Sequence, residues 1–241
     1  MEEMRAARYA DCAEEFVLLT ADHQSAGHGQ RGTSWEAEAG ENLLFSFSFR
    51  PEGIPATRQF ALSEALALAV ADALGAHTGD VCVKWPNDIY YKERKICGML
   101  LEHRLQGGAI ERTLTGVGLN VNQSRFVSDA PNPVSLRQIT GRCTDRSALL
   151  CDTLTAFEEN FRLLQKGGFD ALHARYMRRL YHGDGFFPFE DKDGRFLARV
   201  SAISPLGVLT LTGEDGRERS YAFKEVRFVT LPESAAPSPV K

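Results

Sequence analysis

The chain has 241 residues, of which 43% are apolar, 10% aromatic and 25% charged, and a formal net charge of −4. That composition describes a globular chain with one large core, or one catalytic unit with a small appendage, and excludes a low-complexity, fibrous or disordered protein. The acidic balance argues against duplex nucleic acid as a partner, no apolar run reaches the ~18 residues of a membrane span, and the five cysteines, with no Cys-x-x-Cys pair, support neither a zinc ribbon nor a disulfide framework.

Reduced thiols and no N-terminal signal pattern predict a cytoplasmic protein. The first dozen residues are compatible with a helix, and Phe16 to Ala21 is an apolar run long enough for a strand. A glycine-rich loop follows, AGHGQRGTSW at 26–35. Asn42 to Phe49 alternates with period two, setting Leu43, Phe45, Phe47 and Phe49 against Leu44, Ser46 and Ser48, which predicts a strand. Residues 57–74, with Leu62, Leu66 and Val70 four apart, predict a buried helix terminated by Gly75.

Val81 to Lys84 and Ile96 to Glu102 predict two strands joined through an irregular turn in WPNDIYYKERK. Residues 112–122 predict another strand, entered through the turn Gln106-Gly107-Gly108. Short links between consecutive strands suggest antiparallel pairing. Residues 123–144, with Pro131 and Pro133, predict a loop. Leu150, Leu154, Phe157, Phe161 and Leu164 predict a helix over 145–166 ending at Gly167-Gly168, and a second helix is expected over Asp170 to Leu180.

From residue 185 to 230 the chain becomes a series of short β-rich runs broken by Asp193-Gly194, Pro205-Leu206-Gly207 and Asp215-Gly216, the pattern of a small all-β barrel. The expected organisation is a catalytic domain over 1–182, a β-domain over 183–232 and a disordered tail over 233–241. Arg195, Arg199, Arg217 and Arg219 in the β-domain read as a solvated face rather than an RNA-binding one.

Gly27, Gly29 and Gly32 fit G-x-G-x-x-G, but TSWEAEAGEN offers no helix to receive a pyrophosphate, and where an acidic residue should follow roughly 20 positions on, only Arg50-Pro51-Glu52 is found. As a phosphate-binding P-loop the segment has Thr33 where a lysine is needed. What remains is a backbone able to approach a ligand closely beside His28, Gln30 and Arg31, or a glycine-rich surface turn.

In KWPNDIYYKERKICGMLLE, Pro86 turns the chain so that Asn87-Asp88 leaves the strand end, with Lys84 and Lys95 nearby. An Asx turn with solvated lysines is the alternative, but Gly98, Gly116 and Gly118 inside adjacent strands ask for something that comes close to the backbone. TGVGLNVN ends in Asn120 and Asn122, whose amides could read a heterocycle edge or cap a strand.

Taken in order, HQSAGHGQRGTSW, KWPNDIYYKERKICGMLLE, GVGLNVN and NPVSLRQITGR resemble the biotin protein ligase family, in its short form without an N-terminal DNA-binding domain. The resemblance implies an α+β fold, with a mixed, largely antiparallel sheet of the class II synthetase kind flanked by helices and followed by an SH3-like barrel. It implies ATP with magnesium, biotin as substrate, a biotinyl-5'-AMP intermediate, and transfer to a lysine of a biotin carboxyl carrier protein. No DNA or membrane partner is expected, and a homodimer is left open.

By the same resemblance Lys95 and Asp88 are the catalytic residues. Gln24, Gly27, His28, Gly29, Gln30, Lys95, Gly98, Gly116 and Gly118 fall on the biotin side. Arg31, Trp35, Lys84, Asn87 and Asn120 fall on the nucleotide side. His28 and Gln30 stand where the family carries arginine, and the family's Ser-Thr-Asn contact is missing, so weak biotin affinity is expected. A lipoate-attaching enzyme and a non-catalytic biotin sensor are the competing readings.

Overall fold

A computed structural model describes residues 2–5, 16–24, 27, 35–128 and 131–229. The expected tail over 233–241 lies outside them, as do His28, Gly29, Gln30 and Arg31.

Before the first sheet comes a short helix, α1 (Glu2–Arg5), whose Arg5 pairs with Glu102 at 2.5 Å. Six strands make the first sheet: β1 (Phe16–Ala21), β2 (Leu43–Phe49), β3 (Val81–Lys84), β4 (Asp88–Tyr91), β5 (Arg94–Gln106) and β6 (Ala109–Leu119), in the order β1-β2-β6-β5-β4-β3. Every pairing between these strands is antiparallel, so the sheet is not mixed as expected. The parallel bridges among the described residues are isolated ones, Val83 to Leu180 and Lys95 to Pro133.

The alternation in LLFSFSF builds β2, yet every residue of the strand is buried. Phe47 and Phe49 meet the Phe157 ring edge-on at 5.1 and 5.4 Å, while on the other face Ser48 Oγ accepts from Arg112 at 3.2 Å. One face therefore carries the main core, and the other is buried as well.

Behind the first face lies α2 (Phe60–Gly75), with thirteen of its sixteen residues buried. Such a helix must be enclosed on all sides. The sheet covers one side; α4 (Arg146–Gln165) and α5 (Phe169–Arg178) cover the other, with Asn160 donating to the Ala65 carbonyl at 3.0 Å. Glu64, 3% exposed within α2, is accommodated by a 2.7 Å contact to His173. The helix runs through Gly75 and ends at Ala76, still right-handed, so the glycine is not the left-handed terminator expected.

WPNDIYYKERK is not an irregular turn: it contains β4, giving a three-strand run β3-β4-β5. The loop expected over 123–144 contains α3 (Leu136–Thr140), whose SLRQ start is a capping box, with Ser135 and Gln138 each satisfying the other's backbone N–H. Gly141 closes it in the left-handed conformation, φ 74°.

The five β-rich runs become β7 (Phe187–Asp191), β8 (Gly194–Ile203), β9 (Leu209–Gly213), β10 (Glu218–Tyr221) and β11 (Arg227–Phe228). Their order, β10-β9-β8-β7-β11, is that of an open antiparallel sheet and not the closed barrel expected. This second sheet is fixed to the first unit by Trp85 Nε1, which donates to the Gly207 carbonyl at 3.1 Å, and by Phe60 N, which donates to Pro205 at 3.2 Å. Arg195 and Arg217 are exposed and lie within 4 Å of Glu190 and Asp215, while Arg219 lies over the Phe196 ring and within 4 Å of Asp191. No helix among the described residues is long and apolar enough to cross a membrane.

Candidate active site

Regular antiparallel pairing would set Asp88 opposite Gly98 and Tyr91 opposite Lys95, placing Lys95 on the face away from Asp88. The register slips instead: Ile89 pairs with Cys97, but Tyr90 pairs with Lys95. Ile96 is the extra residue of a β-bulge, and a one-residue slip moves the side chains beyond it to the other face. Ile96 goes fully into the core, and Lys95 Nζ comes to 2.7 Å from Asp88 Oδ1. The bulged backbone is satisfied from outside the sheet: Lys95 N donates to Asn132 O at 2.8 Å, Val134 N to Lys95 O at 2.9 Å, and Asn120 N to Ile96 O at 2.9 Å.

Beside this ion pair, Gly98 and Gly118 are register partners in β5 and β6. The Trp35 indole rests on both: a Cβ at Gly118 would lie 2.5 Å from its Cε2, and one at Gly98 would lie 3.0 Å from its Cζ3 and 3.3 Å from Lys95 Nζ. Only glycine permits this approach. Lys95 Nζ stands 5.5 Å from the indole centroid. Trp35 N donates to Gly27 O at 2.9 Å, with the Gln24 side chain against Gly27. The slot thus has a floor of two glycines covered by the indole, which forms its aromatic wall, and a cation partnered by a carboxylate.

Lys84, opposite Asp88 in the register, sends its ammonium into an aromatic cluster. Its Nζ donates to Tyr90 Oη at 3.0 Å and lies 4.5, 5.6 and 5.8 Å from the centroids of Tyr90, Tyr181 and Phe228. Burial pushes its pKa down, Asp88 opposes that, and Lys95 adds to it. Behind the cluster, Tyr181 donates to Glu93 at 2.5 Å, and His182 is stacked between Tyr181 and Phe187 at 3.8 and 4.0 Å. Burial and the neighbouring Lys84 lower His182 to about 4. The same region joins the two sheets.

Three comparisons bear on this arrangement. The pattern of the Biotin/lipoate A/B protein ligase family matches residues 13–120. The biotin--[acetyl-CoA-carboxylase] ligase of Paracoccus denitrificans is 32% identical over 168 residues, which cover 67% of this chain and 69% of that protein. The chain belongs to the biotin/lipoate A/B protein ligase family. Another relative of this ligase-family chain, the bifunctional ligase/repressor BirA of Bacillus spizizenii, is 28% identical over 87% of the chain, and the chain spans 66% of its length. Among solved structures, the biotin protein ligase from Aquifex aeolicus in complex with biotin and ATP superposes with a TM-score of 0.71 at 26% identity, covering 88% of this chain and 89% of that one.

The ligase-family residues expected from sequence are brought together in part. Lys95, Asp88, Gly98, Gly118, Trp35, Gly27 and Gln24 converge around the slot. Gly116 lies one pairing step along the same strand face, opposite Leu100. Asn87 is not free to reach a nucleotide with its amide nitrogen, which donates to the Met99 carbonyl, while Met99 N returns a bond to Asn87 O at 3.0 Å. Asn120 spends its amide nitrogen on Val134 O at 3.1 Å and keeps a buried Oδ1 without a partner among the described residues. Asn122 caps chain ends: its side chain bonds both backbone groups of Thr144, at 3.0 and 2.9 Å. The β-bulge at Ile96 and the polar pair Glu36–Gln123 were missed. Neither carries a local sequence signal.

Proposed function

We propose that this chain is an ATP-dependent biotin protein ligase, which activates biotin to biotinyl-5'-AMP and transfers it to a lysine of a biotin carboxyl carrier domain. The observation that carries the proposal is the Lys95–Asp88 pair, 2.7 Å apart at the edge of a glycine-floored slot. Joining a carboxylate to a polyphosphate forces two anions together, and a fixed cation there counts most when charge builds up in the transition state. Lys95 supplies that charge. The biotin carboxylate oxygen bonds to the α-phosphorus and pyrophosphate leaves.

In the second step the acceptor lysine amine attacks the acyl carbon and AMP departs. The amine must first lose a proton, and Asp88 is the carboxylate in position to orient it and accept that proton. Lys84, partly desolvated among aromatic rings, supplies a second positive charge near the first. Gly98 and Gly118 let the Trp35 indole lie flat against the sheet beside Lys95, and the bicyclic ring of biotin would pack against that indole.

Among the described residues no cluster of three or more His, Cys, Asp or Glu is arranged to hold a metal ion. Magnesium would enter on the triphosphate. We read residues 1–182 as the catalytic domain and 183–232 as an SH3-like module, a reading supported by five short antiparallel strands though their order is open. A cytoplasmic location and a carboxylase carrier as partner complete the reading.

The test is mass spectrometry of a biotin carboxyl carrier domain incubated with the protein, ATP, magnesium and biotin, beside a Lys95→Ala control and a lipoate arm. A biotin-sized mass increase on one lysine, lost in the variant, is expected. Modification by lipoate alone would overturn the biotin assignment.

A further inference from the structure

Glu36 belongs to none of the motifs that carried the sequence reading, yet three donors from one distant segment, residues 123–128, converge on it. Its carboxylate accepts from Val127 N at 3.0 and 3.2 Å, from Ser128 N at 2.8 Å and from Gln123 Nε2 at 3.0 Å. Gln123, 1% exposed, extends the knot: its Oε1 accepts from Glu38 N at 3.0 Å and Asn42 Nδ2 at 2.5 Å, and its Nε2 also donates to Arg125 O at 2.8 Å.

These bonds tie the residue immediately after Trp35 to the stretch that follows β6. Val127 is 76% exposed, so apolar burial does not hold that stretch against residue 36; the hydrogen bonds do. Burial pushes the Glu36 carboxyl up, but the bonds from Ser128, Val127 and Gln123 outweigh it and leave it below the usual carboxylate range. It is ionised at neutral pH, when its bonds are strongest. On the other side of Trp35, the 2.9 Å bond from its N–H to Gly27 O fixes the chain. Held from both directions, the backbone at residue 35 is fixed where its indole lies on Gly98 and Gly118.

We propose that Glu36 is a positioning residue for adenylate formation. Acting through Trp35, it sets the indole against the glycine pair, so that the wall of the slot is built before the substrates arrive. The inference rests on the ligase reading. A wall already ordered spares the substrate the cost of ordering it, so losing Glu36 weakens binding rather than chemistry.

The chain has two tryptophans, so a Trp85→Phe parent leaves Trp35 as the single fluorophore. Adding Glu36→Ala to that parent, with no ligand present, shifts the Trp35 emission to the red and raises its quenching by acrylamide. The KM for biotin in pyrophosphate release rises about tenfold. Transfer from preformed biotinyl-adenylate to the carrier at saturation keeps its rate. Glu36→Gln retains one carbonyl acceptor for the loop amides and recovers part of both effects. Unchanged emission with the parent's KM overturns the proposal, and so does a lowered melting temperature with KM unmoved. The emission measurement needs no turnover, so it tests the positioning even if the parent released no pyrophosphate, the result that would defeat the ligase reading instead.

Discussion

Lys95 and Asp88 form their 2.7 Å ion pair across a register slip, with Ile96 as the inserted residue that turns the lysine to the slot face. Neither side chain is deeply buried, at 28% and 24% exposed, so the pair adds little to stability. A bulge held by Asn132, Val134 and Asn120 from outside the sheet has a purpose in aiming the lysine.

Replacing Lys95 by alanine should therefore leave the melting temperature within a few degrees and lower adenylate formation by about 10²–10³, the usual loss for one group aimed at developing charge. Lys95→Arg should not rescue it, because a planar fork cannot take the place of a compact ammonium 3.3 Å from the Gly98 Cβ position. Pyrophosphate release with biotin and ATP measures both. Wild-type rates in Lys95→Ala would remove the residue from the mechanism.

Asp88→Asn separates the two half-reactions. The amide keeps the turn and a hydrogen bond to Lys95 but cannot take a proton from the acceptor amine. Adenylate formation should fall less than tenfold, while transfer from preformed biotinyl-adenylate falls by about 10²–10⁴. Single-turnover transfer to a carrier domain distinguishes this from an equal loss in both steps, which would make Asp88 no more than the lysine's partner.

The elements that periodicity governs were legible in the sequence: LLFSFSF, the leucine-rich helix α2 and the phenylalanine-lined helix α4 all form where the spacing places them. Period carries no information on register, so the strand β4 inside WPNDIYYKERK and the bulge at Ile96 were invisible, and with them the reason Lys95 faces Asp88. Helix α3 was legible but overlooked, since Ser135 and Gln138 spell a capping box that the two prolines masked. Glu36 could not be found from sequence, because its partners lie more than eighty residues away and nothing local links them.

The glycine floor makes an ordered prediction. A methyl at Gly118 falls 2.5 Å from the Trp35 ring, closer than atoms can stand, while one at Gly98 falls at 3.0 Å. Gly118→Ala should displace the indole and raise the KM for biotin by more than tenfold, and Gly98→Ala by less, with Trp35 emission moving in the same order. Steady-state pyrophosphate release and fluorescence read the two effects independently. The reverse order would mean that the indole does not define the slot.

His182 links the site to the stability of the joint between the sheets. It is stacked between Tyr181 and Phe187 with a side chain 5% exposed, its Nδ1 has no partner among the described residues, its Nε2 lies 3.8 Å from Glu93 Oε1, and burial followed by the charge of Lys84 lowers its pKa to about 4. In the unfolded chain the same imidazole titrates near about 6.5. Between those values the unfolded state binds the proton and the folded state refuses it. Stability from this group is therefore complete above about 6.5 and falls as pH drops toward 4, by about 3 kcal/mol in all. Urea midpoints should decline over that window more steeply in the wild type than in His182→Asn, a residue that tolerates the left-handed backbone at φ 55°. Parallel pH profiles for the two proteins would show that His182 is protonated in the folded state and that the joint is not the pH-sensitive element.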